Sequence, residues 1–252
     1  MNKTTVPDFT WKEKLCERLL EFVWRFRKPT FLIVMGGPGA GKGTLSSSLS
    51  PALNLAHIST GNLLRKEVAR KTEIGAKVEE VMKSGGFAGD RITLYLLKRE
   101  LIRLKNWRGA ILDGYPRTDL QAQLLEQMLF DWGLDLPLVV MIEVSEEDLI
   151  ERLGGRLTCS NTSCGHTYHV SFQPPRAEGI CDSCGSELIR RPDDEPDSIR
   201  NRLKEYTSKT APLVRFYRDY NRLFVIKSTN KGGKEDVLKQ VLELMKQQSA
   251  ED

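Results

Sequence analysis

The 252-residue sequence predicts an α/β fold: a parallel five-stranded sheet with helices on both faces. Three observations carry this. Short unbroken apolar runs, "FLIVM" (31–35), "GAILD" (109–113) and "PLVVMIEV" (137–144), have the composition of strands buried on both sides. Between the runs, apolar residues recur at helical spacing and supply the crossovers that parallel strands require. The glycine-rich "GGPGAGKGT" joins the first run to its helix, a turn suited to wrapping an anion.

Residues 1–28 read as an extension, helical over "WKEKLCERLLEFVWRFRK". Leu15, Leu19, Phe22, Val23 and Phe26 recur there at helical spacing. Arg18, Arg25 and Arg27 would suit a targeting segment. Asp8, Glu13, Glu17 and Glu21 argue instead for a packed accessory helix, since targeting segments are poor in acid. Cys16 reads as an ordinary core thiol. The main domain spans 29–252. Its first strand leads into a helix over 42–49, with Pro51 as punctuation, and "LAHIS" (55–59) is a weaker strand. From Gly61 to Leu104 the pattern is helical, broken by "SGGFAGD" (84–90). A helix over about 119–130 follows strand 109–113, and a helix over 146–153 follows strand 137–144. Acids open the latter, where the helix dipole favours them. Residues 155–192 hold four cysteines and few aliphatics, and read as an inserted module without apolar mass for its own core. Helix resumes in "DSIRNRLKEYTSKTAPLVRFYRDY", with Pro212 marking a kink or break. "LFVIK" (223–227) is the last strand and "KEDVLKQVLELMKQ" the last helix.

Composition narrows the function classes. The chain carries 38 basic and 34 acidic residues, a net charge of +4. That mild excess gives no warrant for a nucleic-acid protein, but suits a phosphate-rich ligand. No apolar run approaches the roughly 20 residues of a membrane-spanning helix. Five cysteines, four of them in two pairs, point to a metal site in a reducing compartment rather than a disulfide scaffold.

In the glycine-rich turn, Gly36, Gly39, Gly41 and Gly43 let backbone N–H groups close round an anion. Lys42 would reach the transferring phosphoryl group, and Thr44 would sit near metal and phosphate oxygens. The hydroxyl residue comes one position later than in the general motif, after Gly43. This variant, GxPGxGKGT, resembles the adenylate kinases and their nucleoside-monophosphate kinase relatives. "ISTGNLLR" (58–65), "LDGYPRT" (112–118) with Gln121, "ERLGGR" (151–156) and "RRPDDEPDSIRNRL" (190–203) are similar to further motifs of that family, in its order. The likeness covers about residues 30–245. It implies a P-loop NTPase-type three-layer α/β/α fold, with a helical AMP-binding insert over 59–90 and a small β lid over 155–192.

The resemblance also implies a reaction: reversible transfer of the terminal phosphoryl group of Mg²⁺-bound ATP to AMP, giving two ADP. Gly37, Gly39, Ala40, Gly41, Lys42, Gly43 and Thr44 would bind ATP, with Arg152, Arg156, Tyr168 and His169. Arg152 would stack on the donor base. Thr60, Gly61, Arg65, Ala88, Gly114, Arg117, Gln121, Arg191 and Arg202 would bind AMP, with Arg65 and Arg117 on its phosphate. Lys42, Arg117, Arg156, Arg191 and Arg202 would serve catalysis by neutralising charge, and Asp113 by orienting water around Mg²⁺. Arginine suits the task because its planar fork grips phosphate oxygens in pairs. Asp193 and Asp194 would be hinge acids that meet those arginines. Thr60 and Gln121 favour AMP over UMP or CMP. Tyr168–His169 favours ATP over GTP, and a GTP:AMP phosphotransferase is the alternative. Asn62, Gly86 and Gly89 depart from the family's usual Asp, Lys and Thr, and the glycines should loosen the acceptor loop. The expected partners are nucleotides alone, without nucleic acid or membrane. The expected state is a monomer, in the cytoplasm or alternatively the mitochondrion.

Cys159-x4-Cys164-x16-Cys181-x2-Cys184 can form a tetrahedral thiolate site, for which Zn²⁺ is the default. Four thiolates fill the shell, so the zinc would be structural. Four free thiols, or a disulfide pair, are the other readings, with His166 and His169 as reserve ligands. Zinc-bearing lids of the family usually have two residues between the first cysteines, not four. A P-loop GTPase reading lacks a base-reading motif here. A non-enzymatic zinc-ribbon protein that binds RNA under nucleotide control would leave Arg156 and Arg191 at the module's flanks unexplained.

Overall fold

Strand β1 (Thr30–Gly36) lies at the centre of a parallel sheet in the computed structural model, which describes residues 6–104, 108–228 and 234–251. On one side come β3 (Gly109–Asp113) and β2 (Ala56–Ser59), on the other β4 (Leu138–Glu143) and β8 (Leu223–Lys227). The register sets Val34 beside Asp113, and Asp113 beside Ser59. Three strand ends thus meet at one carboxyl edge, where sites form in open α/β sheets.

The continuous apolar runs divide with period two between two cores. Phe31, Ile33 and Met35 of β1 join Ala110, Leu112, Val139 and Met141 on one face. Helices α1 (Trp11–Arg27), α5 (Asp90–Leu104), α6 (Asp119–Asp131) and α9 (Leu213–Asp219) cover it. Leu32, Val34, Ile111, Val140 and Ile142 face the other way. There α2 (Lys42–Leu53), α7 (Glu146–Gly154), α8 (Pro196–Glu205) and α10 (Lys234–Glu251) pack. Side chains of strand and helix caps fix several of the joints: Thr118 and Ser145 accept the backbone N–H three residues on.

Two substructures stand off this frame. Helices α3 (Thr60–Ala69) and α4 (Glu73–Lys83) share a small core with α5 through Leu64, Ile74, Val78, Ile92 and Leu96. The helical stretch expected from Gly61 therefore breaks once more than the sequence suggested, at Arg70–Thr72, where Thr72 caps α4. Gly75 is required at the crossing, because a Cβ there would lie 2.3 Å from the Glu67 carbonyl oxygen. The second is a three-stranded antiparallel sheet of β5 (Arg156–Cys159), β6 (Thr167–His169) and β7 (Leu188–Ile189), in the order β6-β5-β7. Its core is Cys159, Tyr168, Cys181 and Leu188, so half of it is thiol.

Three details differ from the sequence expectation. Helix α2 runs through Pro51 to Leu53. Proline lacks an N–H but is tolerated in this last turn, which Ser50 closes by accepting the Leu55 N–H at its carbonyl and donating its hydroxyl to the Leu55 carbonyl. The irregularity expected at Pro212 begins earlier, as a π-helical turn over Tyr206–Thr210. Its extra residue lets the Thr210 hydroxyl donate to the Arg117 carbonyl at 2.9 Å. Helix α1 packs through Leu20 and Trp24, with Trp24 edge-on to Phe31 and against Trp132. Of the residues whose spacing marked it as helical, Leu15, Leu19, Phe22 and Phe26 point outward and Val23 is partly buried. Two apolar arcs on opposite sides share one helix, and spacing alone does not say which one is buried.

Candidate active site

The loop between β1 and α2 is shaped by backbone that only glycine tolerates well. Gly39 and Gly41 lie at φ 86° and 91°. At Gly36, with φ 146°, a Cβ would sit 2.7 Å from the Ile142 carbonyl oxygen. The Lys42 ammonium folds back to donate to the Gly36 and Gly37 carbonyls at 2.9 and 2.8 Å. Burial pulls it from 10.5 to about 7; Asp113 opposes this, and Arg117, Arg202 and Arg156 add to it.

This loop opens on a cleft of about 820 Å³. Lys42, Arg65, Arg117, Arg152, Arg156, Arg191 and Arg202 all reach its wall, against two carboxylates, Asp113 and Asp193. Burial lowers Arg65, Arg117 and Arg191, and neighbouring Arg156 deepens the shift at Arg191. Arg202 comes down to about 10, through burial and then Arg156. So dense a set of enclosed cations is stable only beside compensating negative charge. Part of that is internal. Asp194 accepts two bonds from Arg156, one of them from Nε at 2.8 Å, and one from Arg202 at 2.9 Å. Asp193 holds Arg202 at 3.0 Å. The remainder suits a polyphosphate.

Asp113 ends β3 beside the loop; a Cβ on Gly43 would lie 3.4 Å from its Oδ2. Burial alone would raise this carboxyl. The His57 hydrogen bond and charge, with Lys42 and Arg117, outweigh burial and hold it below its ordinary value. A buried ionised carboxylate next to a phosphate loop and Thr44 fits a Mg²⁺ site completed by phosphate oxygens and water.

At the β2–β3 end, the buried Thr60 hydroxyl donates to the Gly114 carbonyl at 3.0 Å, leaving its lone pairs to accept from a ligand. Arg117 Nε donates to the same carbonyl at 2.8 Å. Gln121 accepts from the Arg117 backbone N–H and donates to Asp90, both close to 2.9 Å. One Gln121 N–H remains for a ligand. Gly61 and Ala88 also border this end, Ala88 as part of the insert's apolar core. At the other end Arg152 approaches Ser228 at 3.3 Å.

The small sheet closes the roof. Residues Cys164–His169 border the cleft, and a Cβ on Gly165 would lie 3.2 Å from the Asn62 amide of α3. Tyr168 and His169 differ in what engages them. The Tyr168 ring belongs to the cysteine core, with its hydroxyl 3.6 Å from Cys181 Sγ and accepting the Asp182 N–H. His169 stacks on Phe172 and accepts two backbone N–H groups at Nδ1, from Ser171 and Phe172. Its proton is thereby assigned to Nε2, which faces the Glu151 carbonyl at 3.3 Å.

The four Sγ atoms of Cys159, Cys164, Cys181 and Cys184 lie within 4.8 Å of one another. Cys159–Cys184 and Cys164–Cys181 are 3.4 and 3.8 Å apart, too long for disulfides. A tetrahedral zinc with bonds of ~2.3 Å sets its sulfurs about 3.8 Å apart, so the donor set fits zinc. The longer Cys159–Cys164 loop is absorbed by a turn over Asn161–Gly165, with Gly165 at φ 64°.

A sequence model of the family described as adenylate kinase matches residues 34–222. The chain belongs to the adenylate kinase family. An adenylate kinase of Caldicellulosiruptor saccharolyticus is 40% identical over 214 residues, 85% of this chain and 98% of that protein. One from Anaeromyxobacter dehalogenans is 46% identical over 192 residues, 76% and 89% of the two chains. Another, from Oceanobacillus iheyensis, is 44% identical over 188 residues, 75% and 86%. Membership of the adenylate kinase family makes the chain a phosphotransferase acting on a nucleoside monophosphate, and implies Mg²⁺ with ATP. No described helix is long and apolar enough to cross a membrane.

Sequence reasoning missed two residues of this adenylate kinase-type cleft. His57 on β2 reaches Asp113 at 3.3 Å. Its signal was the parity of the strand, since His57 and Ser59 share one face and Ser59 pairs with Asp113. Phe87 carries the Arg117 guanidinium over its ring at 5.2 Å, with Lys209 on it at 5.7 Å. It sits inside "SGGFAGD", where the glycines drew attention away from the one aromatic.

Proposed function

We propose that the chain transfers the terminal phosphoryl group of Mg²⁺-ATP to AMP, giving two ADP. One observation carries this: seven cations line a single cleft that joins a phosphate loop to a pocket holding Thr60 and Gln121. Seven cations exceed what one triphosphate needs and suit two nucleotides placed end to end. In the reaction, an oxygen of the AMP phosphate attacks the γ-phosphorus and the bond to the β-phosphate oxygen breaks. The attacking oxygen is already anionic, so no general base is required. Catalysis then rests on positioning and charge neutralisation.

Lys42, Arg156, Arg191 and Arg202 take the charge on the transferring group, and Arg65 and Arg117 hold the acceptor phosphate. The loop residues 37–44, with Arg152, Arg156, Tyr168 and His169, take ATP; Mg²⁺ would be held through Asp113 and the phosphates. Thr60, Gly61, Ala88, Gly114 and Gln121, with the arginines 65, 117, 191 and 202, take AMP. The Thr60 lone pairs and the spare Gln121 N–H match the donor and acceptor edges of adenine. Residues 59–90 act as the acceptor insert, and 155–192 as a lid held in shape by zinc on Cys159, Cys164, Cys181 and Cys184. The lid excludes water by closing on the insert, a reading supported by the approach of Gly165 to Asn62.

A coupled ADP-formation assay with AMP, CMP and UMP, then ATP against GTP, tests the reading. AMP with ATP should be fastest. Absence of AMP-dependent turnover refutes it, and faster turnover with GTP moves the donor assignment to the GTP:AMP alternative. Lys42→Ala should cut kcat by at least a hundred-fold with the fold intact.

A further inference from the structure

Helix α1 plays no part in the cleft, and none of its residues borders it. It packs on the domain through Leu20 and Trp24 alone among its buried side chains. The opposite side presents Trp11, Leu15, Leu19, Phe22 and Phe26, which are 70%, 52%, 55%, 63% and 74% exposed. At 100° per residue these five fall within an arc of about 80°. An apolar strip of this size left open to water marks a surface that meets something.

The charges around the strip say what it meets. Lys12, Lys14 and Arg18 are exposed and flank the arc on the helical wheel, and Arg27 and Lys28 are exposed at the helix end. One acid, Asp8, is exposed just ahead of the helix; the acids on the helix itself lie off the strip. Glu13 is engaged in the cap with Thr10 and Glu17 pairs with Lys98, while Glu21 is partly buried. On the helix, the apolar strip and its cations face outward, two carboxylates are engaged by Thr10 and Lys98, and Glu21 is partly buried beside the Lys14 flank. A protein partner or a second copy would need only the apolar strip. Apolar side chains rimmed by cations, with tryptophan and phenylalanine among them, match the headgroup region of an anionic bilayer.

We infer that the outer face of α1 docks the protein, parallel to the surface, on membranes rich in anionic lipid. No residue of α1 lines the cleft, so this attachment uses none of the cleft wall. This departs from the expectation, drawn from the lack of a spanning segment, that no membrane takes part.

The test is flotation of the full chain with vesicles of phosphatidylcholine alone, or with about a third phosphatidylglycerol. Binding should be confined to the anionic vesicles and weaken with salt. Phe22→Ser with Phe26→Ser should lower binding at least ten-fold, and Lys12→Gln with Arg18→Gln about five-fold for each charge removed. All four side chains are exposed, so melting temperature and ADP formation in solution should not move. Equal binding to both vesicles, no binding, or unchanged binding by either double variant overturns the inference. A concentration-dependent dimer, abolished by the phenylalanine changes and present without vesicle binding, also overturns it and assigns the strip to a second copy.

Discussion

Asp194 is the internal counter-charge on which the free cleft depends, and Asp194→Asn removes it with almost no change of shape. The carboxylate is 3% exposed and receives two bonds from Arg156 and one from Arg202. Breaking a buried ion pair from one side costs about 3–5 kcal/mol, since the partner stays buried and unpaired. Both arginines keep a little solvent contact, and Asp193 still holds Arg202 at 3.0 Å. The estimate therefore drops to about 2–3 kcal/mol. For a domain of this size that is a fall of roughly 5–10 °C in melting temperature. Saturating ATP with AMP should behave differently. In the proposed function their phosphates become the partners of Arg156 and Arg202, so the gap between native and variant should shrink to less than half. Differential scanning calorimetry with and without nucleotides measures both. If the free proteins melt within a degree of each other, or if the gap is the same when nucleotides are bound, Asp194 is not a counter-charge for the phosphate-binding arginines.

Lys42 should make nucleotide binding proton-linked. Its value near 7 in the free protein leaves it mostly neutral at pH 8, and a polyphosphate raises it again, so binding takes up about 0.9 proton there. Affinity should then weaken as pH rises above about 7. Titration calorimetry at pH 8 in two buffers of different ionisation enthalpy reads the uptake, which should vanish in Lys42→Ala; no uptake in the native protein would contradict the shift. Metal analysis should find one zinc per chain. Removing the zinc by chelation, then assaying in excess Mg²⁺, should lower the melting temperature by several degrees while protein that is still folded keeps its turnover; immediate loss of activity under those conditions before any unfolding would mean that the zinc serves the chemistry.

The frame was legible because its signals are local. Both faces of β1, β3 and β4 are buried, which forces unbroken apolar runs, longest in Phe31–Met35 and Leu138–Ile142. The phosphate loop was legible because φ near 90° at Gly39 and Gly41 demands glycine at fixed offsets. The acid–arginine network was visible only as a list of charges, since Arg156 and Asp194 lie 38 residues apart and meet through the fold of the lid. The π turn at Tyr206–Thr210 had no sequence signal, as its cause is the tertiary reach of Thr210 to Arg117. Which face of α1 packs had no sequence signal for the same reason. Whether an apolar arc meets a core is decided by what lies opposite, and here Trp132 and Phe31 wait for Trp24.

The order of the sheet has a consequence for how such a protein can change. Every residue assigned to the acceptor base lies on elements of the β2–β3 side, while Arg152 and Ser228 lie beyond β4 on the other. Strand β1 is the seam between them, and the loop at its end opens on the cleft that joins them. On the proposed assignment, substitutions that alter which monophosphate is accepted would fall in residues 58–90 and 114–121, apart from those beside Arg152 and Ser228. Selection can act on the two halves of the reaction as separate traits, carried by two flanks of one sheet.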